Sequence, residues 1–132
     1  MAAFTRFPLL AAGLFGATGV ALGAFGAHGL QALLAERGTA QAWETAARYQ
    51  LVHAVALLGV AAWLRAGGGR GTIRLLWAAR CWSAGIALFS GSLYLFAVGG
   101  PHFMVYLTPV GGVTLIAGWL MVIAAALVAK EE

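Results

Sequence analysis

The sequence predicts an all-α, polytopic membrane protein: a compact bundle of four transmembrane helices with a short amphipathic helix between the first two. Of its 132 residues, 62% are hydrophobic and 9% are charged, whereas soluble domains carry about 25% charged residues. Residues 7–34, 49–64, 81–104 and 103–129 contain no charge, and the last two stretches run together through a Gly-Gly-Pro break. A span needs roughly 20 apolar residues, so the chain is predicted to be one membrane domain.

The first span is predicted at about residues 7–27. Arg6 followed by an apolar run that ends in small residues resembles a cleaved signal peptide, but the length of the run and the later spans favour a retained helix. The second span, about residues 46–64, takes its first turns from the segment with Glu44 and Arg48. These two residues share a helical face, and they form either a solvated interfacial pair or a buried pair that closes a site.

Between these spans, the segment LQALLAER followed by Gly38 is typical of a short amphipathic helix that a glycine ends. Thr39 is a candidate cap of the next helix, which is predicted to begin outside the bilayer and to continue to Trp63.

The third and fourth spans are predicted at about residues 75–98 and 104–129, with Pro109 either kinking the fourth span or ending a short re-entrant turn. The segment between spans two and three is rich in arginine: Arg65, Arg70, Arg74 and Arg80. The positive-inside rule places this segment in the cytoplasm. Both termini, which carry Arg6 and Lys130, are predicted on the same side.

Composition and motifs exclude several classes of function. The net charge of +4 comes from dispersed arginines, which do not form a nucleic-acid surface, and the single cysteine, Cys81, allows no internal disulfide. The chain has no aspartate and no GxSxG, P-loop or HExxH motif, so no catalytic residue, metal ligand or cofactor is assigned. A small four-helix multidrug exporter would need a glutamate in its first helix, which is absent here.

A glycine stripe marks the first span. Gly16, Gly19, Gly23 and Gly26 are spaced three, four and three residues apart and share one helical face. Glycine in a membrane helix lets a second backbone approach closely. Packing within the bundle is the first interpretation, homodimerisation through the stripe is the second, and a void for a substrate is the third.

Polar side chains collect at the predicted outer end of the bundle. We call this set the polar layer, and its candidate functional members are His28, Tyr49, Gln50, His53 and Tyr94. Interhelical hydrogen bonds that fix helix register are the favoured role. A proton relay through His53 is a second hypothesis. A metal site that adds His102 to the two histidines of the layer is a third, although no spacing prepositions these ligands.

Four segments together carry a family resemblance: LGAFGAHGL (22–30), YQLVHAVALL (49–58), LFSGSLYL (88–95) and TPVGGVTLIAGWL (108–120). They resemble, in order, the signature blocks of the domain of unknown function 423 family, which includes transmembrane protein 256-like members. The resemblance implies a small four-helix integral membrane protein, located in the inner membrane in bacteria, and it implies no activity. His102 lies outside the blocks, which weakens the three-histidine metal site.

The predicted function is that of a non-enzymatic accessory or scaffold subunit of the inner membrane. Its expected partners are the lipid bilayer and either another membrane protein or a second copy of the chain; nucleic acid is not expected. The alternative is a small transporter or channel-like protein that uses the polar layer for a proton, a metal or a small solute. An enzyme acting on a lipid or a quinone is a third hypothesis.

Overall fold

A computed structural model describes the backbone of residues 2–129 and the side chains of residues 5–129. This part of the chain is all-α, as predicted. Its five α-helices are α1 (Ala2–Ala27), α2 (Gln31–Arg37), α3 (Ala40–Arg65), α4 (Thr72–Ala97) and α5 (Met104–Val128), and a 3-10 turn, Gly69–Gly71, precedes α4. Lys130, on which the orientation prediction partly depends, lies outside the described residues.

The four long helices pack antiparallel to their neighbours in sequence. In the α1–α3 pair, Gly16 faces Ala54 near the middle of both helices, and Gly26 faces Trp43 where α1 ends and α3 begins. In the α4–α5 pair, the contacts run from Gly71 opposite Ala125 to a hydrogen bond between Ser92 and Thr108. The hydroxyl of Ser90 joins α4 to α3 by donating to the Ala46 carbonyl at 2.7 Å. The bundle is therefore two antiparallel pairs that meet along α3 and α4.

The short helix α2 ends at Gly38, which adopts the left-handed conformation with φ 65° and donates its N–H to the last carbonyls of the helix. Thr39 takes the N-cap position of α3, as predicted, but its hydroxyl makes no cap hydrogen bond. Instead it donates to the Ala97 carbonyl at 2.7 Å, and the Arg37 Nε donates to the same oxygen at 3.2 Å. These two hydrogen bonds connect the loop between α2 and α3 to the carboxyl end of α4, where the helix dipole favours a positively charged side chain.

The apolar core has two parts. The larger cluster fills the middle and the end of the bundle near the arginine-rich segment, and its largest fully buried side chains are Leu57, Leu75 and Trp82. A smaller cluster around Leu34 and Trp43 lies beside the polar layer. Every long helix also presents exposed apolar side chains, as expected of a bundle whose outside faces lipid.

Among the described residues, three helical segments are long and apolar enough to cross a membrane: Thr5–Ala27, Ala40–Arg65 and Met104–Val128. Helix α4 has the same length as α3 but is not among them, so the predicted count of four spans is not confirmed. Two arginines, Arg74 and Arg80, and three serines lower the mean hydropathy of α4. Helix α5 continues through Pro109, so the alternative of a re-entrant turn at this proline is wrong.

Candidate functional site

The polar layer lies at the end of the bundle where α3 begins and α4 ends. Tyr49 and Gln50 are in the first half of α3, His53 is at its middle, and Tyr94 is in the last turn of α4. Because the two helices run antiparallel, the last turn of α4 comes to lie beside Gln50. His28 follows the last residue of α1, and its exposed side chain does not reach the other four members of the layer.

Gln50 is the centre of a hydrogen-bond network that joins three helices. It is 3% exposed, and its Nε2 donates to the Phe15 carbonyl at 3.0 Å and to the Thr18 hydroxyl at 2.8 Å, both on α1. Its Oε1 accepts a hydrogen bond from the Tyr94 hydroxyl of α4 at 2.8 Å. Both amide donors and the acceptor of Gln50 are therefore used inside the protein.

His53 is also fully engaged. Its Nε2 lies 3.0 Å from the indole Nε1 of Trp119 on α5, and its Nδ1 lies 2.7 Å from the Tyr49 carbonyl. An indole N–H only donates and a carbonyl only accepts. Nε2 must therefore be the acceptor and Nδ1 must carry the proton, so these partners fix a neutral imidazole in a single tautomer.

Aromatic rings surround this imidazole. Tyr49 stacks against His53 with ring centroids 6.2 Å apart, and the rings of Trp82 and Trp119 approach it edge-on at 6.0 and 5.8 Å. Tyr49 is itself 44% exposed and forms the border of the layer. Two shallow clefts, of about 390 and 290 Å³, border Tyr49, His53 and Trp119 between α3 and α5.

The three histidines of the metal hypothesis do not converge. His53 is buried, whereas His28 and His102 are exposed in the links that follow α1 and α4. Across the side chains of residues 5–129, no group of three His, Cys, Asp or Glu residues is placed to hold a metal ion. Glu44 and Arg48 are both exposed, which agrees with a solvated position rather than with a buried pair.

The glycine stripe of α1 faces α3. Its positions lie opposite Ala54, Leu51, Ala47 and Trp43 in turn. This arrangement is intramolecular packing. Because α3 covers the stripe, it is not a free surface for a second copy of the chain. Gly23 and Gly26, at the carboxyl end of the stripe, also line a groove beside α2.

Sequence reasoning missed two members of the network, Thr18 and Trp119. The signal for Trp119 was available, because an indole N–H in the middle of an apolar helix needs an acceptor where water is absent. The same rule applies to two further tryptophans, whose N–H groups donate across helix pairs: Trp43 to the Leu22 carbonyl and Trp82 to the Leu115 carbonyl.

The chain is similar to membrane proteins from several bacteria. The family described as "Protein of unknown function (DUF423)" matches residues 22–112. The UPF0382 inner membrane protein YgdD of Escherichia coli K12 is 36% identical over 129 residues, 97% of this chain and 95% of that protein. The UPF0382 membrane protein YwdK of Bacillus subtilis is 40% identical over 81% of this chain and 85% of its own length. The UPF0382 membrane protein SAB0533 of Staphylococcus aureus is 42% identical, with 80% and 83% covered. No solved structure matches the chain.

Proposed function

The chain belongs to the DUF423 family of membrane proteins, and from this premise we propose that it is a non-catalytic accessory or scaffold subunit of the inner membrane. One observation carries the proposal: among the described side chains, each buried nitrogen or oxygen atom has a hydrogen-bond partner. The buried donors and acceptors of the polar layer are therefore already used in hydrogen bonds within the protein. A site that binds a substrate needs polar groups that are left free for it.

The state of His53 argues against a proton relay or a metal ligand in this layer. A proton or a metal at Nε2 would have to displace the Trp119 N–H, which makes no other hydrogen bond among the described residues. Binding there would cost the hydrogen bond between α3 and α5. The hydrogen-bonding role therefore has the stronger support.

We also propose that α4 crosses the membrane, which gives four spans. At about 1.5 Å per residue its 26 residues extend about 39 Å, more than the roughly 30 Å of hydrocarbon. It runs antiparallel to α5 along its length, and its two arginines lie in its first nine residues. Of these, Arg80 is exposed and lies over the Trp77 ring at 5.1 Å, as expected at a membrane interface.

Cysteine labelling tests this topology and the cytoplasmic position of the arginine-rich segment. In a Cys81→Ser background, His102→Cys should react with a membrane-impermeant maleimide in intact cells. Arg70→Cys should react only after the membrane is permeabilised. If both cysteines react from the same side, α4 does not cross and the proposed orientation fails.

The accessory role is tested by purifying the tagged chain in mild detergent and identifying what elutes with it. A membrane protein or a second copy in constant ratio to the chain is the expected result, and a lone monomer would contradict the proposal. The transport alternative makes the opposite prediction. Liposomes with the chain would then show proton or metal flux that His53→Ala abolishes and His28→Ala preserves.

A further inference from the structure

A groove of about 600 Å³ lies at the polar-layer end of the bundle, between the end of α1, the helix α2 and the start of α3. Most of its lining is small or apolar, with Gly23, Ala27, Leu34 and Trp43 among the contributors. Gly23 leaves space in the groove because it has no side chain. The nearest atom to a Cβ added there would be the Cβ of Ala47, at 3.9 Å. The walls therefore suit an apolar chain better than a polar solute.

The rim of the groove carries opposite charges. Glu44 and Arg48 lie four residues apart on α3, line the same groove and are both exposed. In the part of the chain that the structure describes, no ion pair neutralises either of them, although their spacing would allow one. Gln31 of α2 adds an amide to the rim. The rim thus offers a separate anionic and cationic contact to one ligand.

The order of these charges along α3 is also informative. Arg48 is one helical turn farther into the predicted span than Glu44, so it lies nearer the hydrocarbon. In a glycerophospholipid the phosphate is joined to the glycerol beside the acyl chains, and the amine of an ethanolamine headgroup is attached beyond it. A phosphate at Arg48 and an ammonium at Glu44 follow the same order.

We infer that this groove binds a phospholipid whose headgroup contains both a phosphate and a primary ammonium, with part of an acyl chain lying along the apolar walls. The Arg48 guanidinium binds the phosphate, and Glu44 accepts hydrogen bonds from the ammonium. A choline headgroup offers Glu44 no N–H donor, and a glycerol headgroup offers it no cation. The site therefore discriminates by headgroup, and it does not depend on the accessory role proposed above.

Native mass spectrometry of the delipidated full chain tests the inference. The probes are phosphatidylethanolamine, phosphatidylcholine and phosphatidylglycerol with identical acyl chains. Phosphatidylethanolamine should bind about threefold to fivefold more tightly than the other two, the range expected of one exposed charged contact. Equal binding of the three lipids would overturn the inference.

Two charge variants separate the two contacts. Glu44→Gln should bring the affinity for phosphatidylethanolamine down to that for phosphatidylcholine, because only the ammonium contact is lost. Arg48→Gln should weaken both lipids by the same factor, because both contain the phosphate. Arg65→Gln, at the opposite end of the same helix, should preserve the preference. A preference that survives Glu44→Gln, or an affinity that Arg48→Gln leaves unchanged, would refute the site.

A bulky side chain placed in the groove gives an independent test of where the lipid binds. Ala27 lines the groove, whereas Ala24, also exposed, does not. Ala27→Phe should remove the preferential binding of phosphatidylethanolamine, and Ala24→Phe should leave it intact. Circular dichroism and size-exclusion profiles establish that both variants are folded. If a folded Ala27→Phe protein binds the lipid as before, the ligand does not occupy this groove.

Discussion

The two antiparallel helix pairs of the bundle achieve close contact in different ways. In the α1–α3 pair the four glycines of the stripe are regularly spaced, but two of them leave room for a methyl group: a Cβ added at Gly16 or Gly23 would lie 4.0 or 3.9 Å from an alanine Cβ. In the α4–α5 pair the spacing is irregular, yet a Cβ at Gly111 would lie 2.7 Å from the Cα of Phe89. The regular pattern thus belongs to the looser pair.

The two helix pairs differ in the atoms that lie opposite their glycines. Along α1 the stripe meets side chains, and at Gly19 the obstacle is the flexible end of Leu51. Gly111 of α5 lies against backbone atoms of α4, and Gly71, in the turn before α4, lies against backbone atoms of α5. Backbone atoms move only if the whole helix moves. Hydrogen bonds from Gln50 supplement the α1–α3 contact. The spacing of several glycines therefore indicates that they share one helical face. The loss of stability on replacing one of them depends on which atoms lie opposite it.

The largest effect is expected from Gly111→Ala, which forces α4 and α5 apart. Overpacking of this kind costs typically 1–3 kcal/mol, and we expect about 3 kcal/mol because the obstacle is backbone. Thermal unfolding in detergent measures it. Gly112→Ala is the matched control, since its Cβ would lie 3.7 Å from the edge of the Phe89 ring; equal melting temperatures for the two variants would refute the close backbone contact.

The second prediction concerns one glycine in each helix pair that packs against a tryptophan ring. Gly118 lies under Trp82 and Gly26 under Trp43, and in each case the indole donates to a carbonyl of the opposite helix. We expect Gly118→Ala to lower the free energy of unfolding by about 2 kcal/mol and Gly26→Ala by about 1 kcal/mol. Trp82 is enclosed by other rings, whereas Trp43 borders the open groove and has room to shift. The reverse order of melting temperatures would contradict this reasoning.

A third effect measures what hydrogen bonding adds to the looser pair. Gln50→Met keeps the approximate volume of the side chain but leaves the Tyr94 hydroxyl and Thr18 without the amide. Interhelical hydrogen bonds in membranes average about 0.6 kcal/mol, so the variant should lose about 1 kcal/mol. Gln41→Met, at an exposed position of the same helix, should melt as the parent does. A loss as large as that of Gly111→Ala would mean that hydrogen bonds dominate this pair.

The smallest effect is expected from Gly16→Ala, within about 0.5 kcal/mol of the parent in either direction. The added methyl reaches Ala54 at ordinary contact distance, and alanine favours the helix more than glycine does. Melting temperatures of Gly16→Ala and Gly111→Ala in one detergent give the comparison directly. If Gly16→Ala is as damaging as Gly111→Ala, the α1–α3 pair is not the looser one.

Much of the site was predictable, and its gaps have specific causes. Turn and capping rules located α2 and its end at Gly38, because these signals are local in sequence. The cap rule predicts that the Thr39 hydroxyl accepts from the backbone of α3. It donates to the Ala97 carbonyl instead, and no local signal indicates this partner, because Ala97 is 58 residues away in the chain. His28 was grouped with the polar layer on depth alone, and depth does not fix which side of a helix a residue occupies.

The sequence by itself determined the class of protein, the all-α fold, the DUF423 family membership and the face that the stripe glycines share. These properties follow from composition, local signals and helical periodicity. The tertiary structure decided that α3 covers the stripe, that Trp119 occupies the free nitrogen of His53, and that Glu44 and Arg48 share one groove. Periodicity assigns a residue to a face, but the partner of that face depends on how separate helices are juxtaposed, and no local pattern contains that information.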